Sequence, residues 1–170
     1  LLINAGSIFD ATGPLGFEFG DYEIFPTALS IIDNPLPTAV RAKATGEMTV
    51  GSLNMFRFFD DVDDPADGAR DDTVVPTAEY QRRRDKFLLY ILNVLGAPDV
   101  LGVQEVEKIE VLQQLAADIT VADPTVVYTA HLIEGNDVGT IDSGFLTRAS
   151  IAVDAVTQQG AAEILTFDGS

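Results

Sequence analysis

Apolar and polar residues alternate over Phe17–Phe25 (FEFGDYEIF), around a central glycine. A period of two predicts extended structure there. Pro26, Pro35 and Pro37 punctuate the next stretch, and Val40–Ala44 reads as one more short extended piece. Glu47–Phe56 (EMTVGSLNMF) is a firmer strand, with Met48, Val50 and Leu53 set among Thr49 and Ser52, and with Asn54 near its end. From about Ala78 to Leu95 the period becomes helical. Tyr80, Phe87, Leu88, Ile91, Val94 and Leu95 form the inward stripe, while Gln81, Arg82, Arg83, Asp85 and Lys86 lie largely off it. Thr77 is the predicted N-cap, and Gly96 and Pro98 stop the helix. Val100, Leu101 and Val103 make a short strand over 99–104 that reads as buried on both faces. A helix over 107–119 turns Ile109, Leu112, Leu115, Ala116 and Ile119 inward. Strands follow over 126–132 and 141–147, with weaker β candidates at Ile151–Val156 and Ile164–Phe167. The order β-α-β-α-β-β predicts an α/β sandwich with mixed strands.

Residues 46–170 carry this pattern. Residues 1–45 read either as the tail of a preceding β module plus a linker, or as an N-terminal hairpin of the main domain. The chain has 170 residues, enough for one domain with a real core. It begins with Leu1 rather than Met, as a piece of something longer would. No apolar run approaches the roughly 20 residues that a membrane span needs.

Charge narrows the chemistry. The net charge is -17, from 27 acidic against 10 basic residues. Such a surface repels bare nucleic acid at long range, so a nucleic-acid role needs bound cations or a local basic patch. There is no cysteine, which excludes disulfides and thiolate metal sites, and one histidine, His131, which excludes a multi-histidine centre within this span. Asp60–Asp72 (DDVDDPADGARDD) holds seven Asp in thirteen residues and must be solvated. A calcium loop is one reading of it, although the spacing does not fit an EF-hand. Arg82-Arg83-Arg84 reads as a solvated helix face or as a phosphate grip.

The candidate site starts from PDVLGVQEVE (Pro98–Glu107). A carboxylate that ends a strand just before a helix lies where α/β sheets place their chemistry. Glu105 is either a metal ligand or simply the first polar residue after the strand. Asn54 either caps a turn or offers its amide to a phosphate or a neighbouring carboxylate. Asp137 is a secondary site candidate or simply a turn former. Asp142 is a strand-edge residue, or points into a cleft beside Glu105.

Taken in order, VGSLNMFRFFDD, an acidic loop, EYQRRRDKF, PDVLGVQEVE and EGNDVGTIDSGFLTR resemble the endonuclease/exonuclease/phosphatase (DNase I-like) superfamily. The likeness is to large secreted bacterial nuclease-like members and runs over about residues 47–150. FGDYEIFP resembles the stretch that often precedes the domain in such multidomain proteins. The resemblance implies the N-terminal half of a DNase I-like α/β sandwich. It implies Glu105 as ligand to Mg²⁺, with Mn²⁺ or Ca²⁺ as alternatives. It implies Asn54 as a residue at that metal that orients the carboxylate or contacts the scissile phosphate. Asp142 is a secondary candidate ligand on its own position, if its strand neighbours that of Glu105. The resemblance also implies metal-dependent phosphodiester hydrolysis by a secreted protein, with nucleic acid or another phosphodiester as substrate and further domains of a longer chain as partners.

The chain departs from the family pattern in its second half. The catalytic histidine, the GDFN-like Asp/Asn pair and the terminal Asp-His pair are not found. His131 lies too early and reads as a structural strand histidine, and Asp168-Gly169-Ser170 merely ends the sequence. The expectation is half of an active site, with negligible hydrolysis by this piece alone. Competing readings are a phosphatase or sphingomyelinase-like member, a non-catalytic calcium-binding or adhesion module on the same fold, and a cytosolic α/β domain with a small-molecule cleft.

Overall fold

A computed structural model describes residues 3, 6–35, 38–64, 73–135 and 139–160. The chain divides into two compact units, Leu1–Thr38 and Ala39–Ser170.

In the first unit, β1 (Ile8–Thr12) pairs antiparallel with β4 (Ala28–Asp33), and β2 (Leu15–Glu18) with β3 (Asp21–Ile24). The alternating FEFGDYEIF stretch is thus a hairpin. Its two-residue turn, Phe19-Gly20, has φ of 49° and 92°. Positive φ at both central positions is the geometry whose twist matches the flanking strands, and glycine adopts it without steric cost. Gly13 is fixed for another reason. A Cβ there would lie 1.9 Å from the Phe25 carbonyl oxygen.

The boundary lies after Thr38 rather than at residue 45 because the next residues are tied to the second unit. The Val40 N–H donates to the Val94 carbonyl, and Lys43 pairs with Asp99. Val40–Ala44 is therefore not a strand. Its bonds go to a helix end and to side chains, not to a ladder.

The second unit is a mixed α/β domain. Its four-stranded sheet has the order β5 (Val50–Phe58), β6 (Val100–Val106), β8 (Asp142–Arg148), β7 (Tyr128–Leu132). β5 and β6 are parallel, and the other neighbours are antiparallel. Helix α1 (Thr77–Asn93) joins β5 to β6, and α2 (Ile109–Ala122) joins β6 to β7. Both helices pack on one face. Met55, Leu101, Val103 and Leu146 from the sheet are buried with Ile91, Val111, Leu112, Leu115 and Ile119 from the helices. The alternate positions Val50, Ser52, Asn54 and Phe145 are exposed. In β6 the alternate positions Val100, Gly102 and Gln104 are half-buried, so among the described residues β6 is fully covered on one face only, against the expectation of burial on both. Among the described residues no helix is long and apolar enough to cross a membrane.

Three local expectations are corrected. Thr77 is the first residue of α1, and the cap is Pro76, with no side-chain bond. α2 starts at Ile109 because Glu107 and Lys108 are engaged elsewhere: Glu107 accepts from the Asp60 N–H, and Lys108 pairs with Asp60 and Asp64. Ile151–Val156 forms no strand. It pairs with no neighbouring strand, and Val153 and Val156 are exposed. The remaining β candidate, Ile164–Phe167, lies outside the described residues, as do Asp168, Asp137 and the 65–72 part of the acidic run.

Candidate functional site

Parallel pairing of β5 with β6 brings both strand ends to one edge of the sheet, with Asn54 in register with Gln104. There the ladder breaks, and pairing resumes only at Phe58 opposite Val106. The two extra residues are accommodated by Phe56 and Arg57, whose φ values are 50° and 54°. The facing strand is irregular too. The β6–β8 register shifts between Val103 and Val106, and Glu105 has φ of 59°. Left-handed backbone costs a non-glycine residue about 1–2 kcal/mol, so both strand ends are held by their surroundings.

The holding groups are identifiable. Asn54 Oδ1 accepts from the Phe56 N–H at 2.7 Å, an Asx turn. The Arg83 guanidinium, reaching over from α1, donates to the carbonyl oxygens of Met55, Phe56 and Arg57. It also lies over the Phe58 ring at 5.6 Å from the centroid. Burial lowers the Arg83 pKa, with the Glu79 charge partly offsetting it.

Against this turn sits Glu105. Asn54 Nδ2 donates to its Oε1 at 2.8 Å, and the Arg57 N–H donates to its Oε2 at 3.1 Å. Asn54 thus has both ends of its amide in use, which makes it an orienting residue for the carboxylate. Glu105 is half-buried, oriented by neutral donors, and in no ion pair among the described residues.

The neighbouring carboxylates are committed differently. Glu107 is buried and accepts from the Asp60 N–H at 2.7 Å. Lys108 Nζ lies 3.0 Å from Asp60 Oδ2 and 3.6 Å from Glu107 Oε1, and also pairs with Asp64. Burial pulls the Lys108 ammonium down, but its bonds to Asp64 and Asp60 and the Glu107 charge outweigh this and leave it raised. Asp60 and Asp64, the described ends of the acidic run, therefore already share an internal cation. Asp142 is in register with Val106 at the same end of the sheet, and its Oδ1 accepts from the Gly135 N–H at 2.7 Å. His131 Nε2 lies 3.0 Å from Thr147 Oγ1, across the β7–β8 pair and away from this edge.

Sequence reasoning missed Arg83 and Arg57. The signal for Arg83 was the arginine triplet itself. Successive helix positions point about 100° apart, so three adjacent arginines cannot share one role. Arg84 pairs with Asp118 on α2 and lies over the Tyr80 ring, Arg83 braces the β5 turn, and Arg82 stays exposed.

Among the described residues, no group of three or more acidic or histidine side chains is arranged to hold a metal. The donor set at Glu105 nonetheless suits the protein share of a Mg²⁺ site. Such sites use one or two carboxylates and leave the other positions to water and substrate phosphate. Glu105 would be the ligand, with Asn54 behind it. No protein-family model matches the chain, and neither a curated protein nor a solved structure matches it.

Proposed function

We propose that this chain is the N-terminal half of a DNase I-like α/β sandwich, and that its site serves metal-dependent phosphodiester hydrolysis, as a secreted nuclease would use it. The observation that carries the reading is the Asn54–Glu105 hydrogen bond of 2.8 Å at the C-terminal edge of the parallel pair. Two residues far apart in sequence meet there, and the backbone of both strands is bent into left-handed geometry around them. Glu105 carries the negative charge that a hard cation needs. Asn54 and the Arg57 N–H fix its orientation, the kind of support that keeps a ligating carboxylate in place. A divalent ion bound there supplies charge neutralisation at a phosphoryl oxygen and lets an acidic protein accept a polyanion. The uncovered face of the sheet, with Ser52, Asn54 and Phe145 exposed, is where the other half of a sandwich packs on this reading. The remaining catalytic groups then come from outside this sequence.

Mg²⁺ and Mn²⁺ titrations by calorimetry test the site. Glu105→Gln is expected to remove binding, and Asn54→Ala to weaken it by about 10–100-fold, the range for residues that support a metal ligand. Unchanged affinity in Glu105→Gln would sink the assignment. The 170-residue chain by itself is expected not to cleave plasmid DNA, and robust metal-dependent cleavage by it would refute the half-site reading.

A further inference from the structure

The basic residues of this acidic chain are unevenly employed. Arg41, Lys43, Arg84 and Lys108 pair with carboxylates. Arg83 and Arg148 donate to backbone carbonyls. Arg57, Arg82 and Lys86 form no ion pair among the described residues, although the chain holds 27 acidic side chains. All three line one groove between the β5 turn and α1, and Arg83 lines it with them. Arg82 and Lys86 are one helical turn apart, so they present their charges in a row along the groove. Phe56, at 79% exposure, lines the same groove. Glu79 lines it too and lies near enough to Arg83 to favour its positive charge.

The groove and the Glu105 site share a wall. Phe56 and Arg57 line the groove, and the N–H of Arg57 is the one that holds Glu105 Oε2. We propose that the groove lined by Phe56, Arg57, Arg82 and Lys86 binds the sugar–phosphate backbone of a single nucleic-acid strand where it runs past Glu105. The inference rests on the phosphodiesterase reading for its direction, but not for its binding chemistry. Arg82 and Lys86 along the helix and Arg57 on the opposite wall offer three cations to the phosphates of a strand, and an exposed aromatic ring offers a stacking face to any base. The groove has a volume of about 540 Å³. An anionic phospholipid surface offers the same phosphate chemistry. It is, however, an extended anionic plane, and a chain of net charge -17 is repelled from it as a whole.

The test is fluorescence anisotropy of a labelled oligothymidylate of roughly 15 nucleotides, at low salt and in EDTA, so that no metal contributes. The 170-residue chain is expected to bind, and Arg82→Glu/Lys86→Glu to bind about tenfold or more weakly. The slope of log K against log salt should fall by about 0.7 for each phosphate that is no longer neutralised. Both positions are exposed, and an unchanged melting temperature checks that the variant is folded. Arg41→Glu makes the same single charge change away from the groove and is expected to bind far better than Arg82→Glu. Equal weakening by Arg41→Glu, unchanged binding in the double variant, or no binding by the native chain overturns the groove. Binding through these residues to phosphatidylserine vesicles, with none to the oligonucleotide, overturns it as well. Loss of oligonucleotide binding in the double variant, with metal affinity unchanged in Glu105→Gln, supports the groove and sinks only the phosphodiesterase reading.

Discussion

The two ends of β6 use the same device with opposite outcomes. At the N-terminal end, the Asp99 carboxylate reaches across to Thr49 at the start of β5, accepting from its N–H at 2.7 Å and its hydroxyl at 3.0 Å. At the C-terminal end, the Glu105 carboxylate reaches across to Asn54 and Arg57 at the end of β5. Each joins the two parallel strands by hydrogen bonds from neutral donors. Among the described residues only Asp99 also has a cation, with Lys43 Nζ 2.6 Å away. Only Glu105 sits in left-handed backbone and faces a left-handed turn. The Asp99 end is a closed clamp, its charge cancelled and neither Asp99 nor Thr49 in left-handed backbone, although Ala97 just before it has φ of 49°. The Glu105 end keeps its charge available at the cost of strain. A carboxylate that only joined strands would need none of that, and local strain of this kind concentrates at functional sites.

Substitutions at either end of β6 separate the two arrangements. The largest effect is expected for Arg83→Ala, which removes the brace from three consecutive carbonyls. Stability should fall by about 2–3 kcal/mol, as for a lost charged hydrogen-bond donor in a half-buried position. Metal affinity at Glu105 should fall with it if the turn orients the carboxylate. A melt and a titration on the same variant read both, and full affinity in a destabilised protein would separate the brace from the site.

Asp99→Asn should cost less, about 1–2 kcal/mol, because Lys43 is part-exposed and finds water instead. The same residue gives a pH signature. Hydrogen bonding to Lys43, then to Thr49, holds the Asp99 carboxyl at about 2. A depressed folded value means that the stabilisation is present above the unfolded value of about 4 and is lost as pH falls from there through about 2. Melting temperatures across that window should fall less steeply for Asp99→Asn than for the native chain. Parallel curves would show that the clamp contributes nothing to acid stability.

The smallest effect belongs to the strain itself. Phe56→Gly should stabilise by about 1 kcal/mol, since φ of 50° suits glycine and the phenylalanine ring is exposed. The same change should weaken oligonucleotide binding if the ring stacks on bases. A denaturant titration that shows destabilisation would mean that Phe56 packs more than its exposure suggests.

Much of the second unit was legible along the chain. The helical stripe of Tyr80, Phe87, Leu88 and Ile91, and that of Leu112, Leu115 and Ile119, follow from a period that only a helix turns to one side. The ends were less legible. The Thr77 cap failed by one residue, since Pro76 holds that position and Thr77 is already helical, and the Glu107 helix start failed because the Asp60–Lys108 pair acts from outside the local pattern. Ile151–Val156 has strand-forming residues, but a strand needs a partner, and periodicity does not reveal one. At the site, the pairing of Asn54 with Glu105 came from the ordered motifs and their resemblance to a family, not from spacing. The left-handed turn, the Arg83 brace and the basic groove had no local signal beyond an arginine triplet.

The sequence by itself determined which segments could be helix or strand, that the protein is acidic and without thiol chemistry, and that a carboxylate would stand where a buried strand turns polar. Those properties depend on neighbours in the chain. Tertiary structure decided which carboxylates are spent. Asp60, Asp64, Asp99 and Glu107 are carboxylates of the same unit as Glu105, yet each has a lysine ammonium within 4 Å, Lys43 for Asp99 and Lys108 for the other three. Whether a charge is neutralised depends on what lies within a few ångströms, and residues some 50 positions away along the chain supply it. Only the parallel pairing of β5 with β6 could place Asn54, and not a lysine, against Glu105.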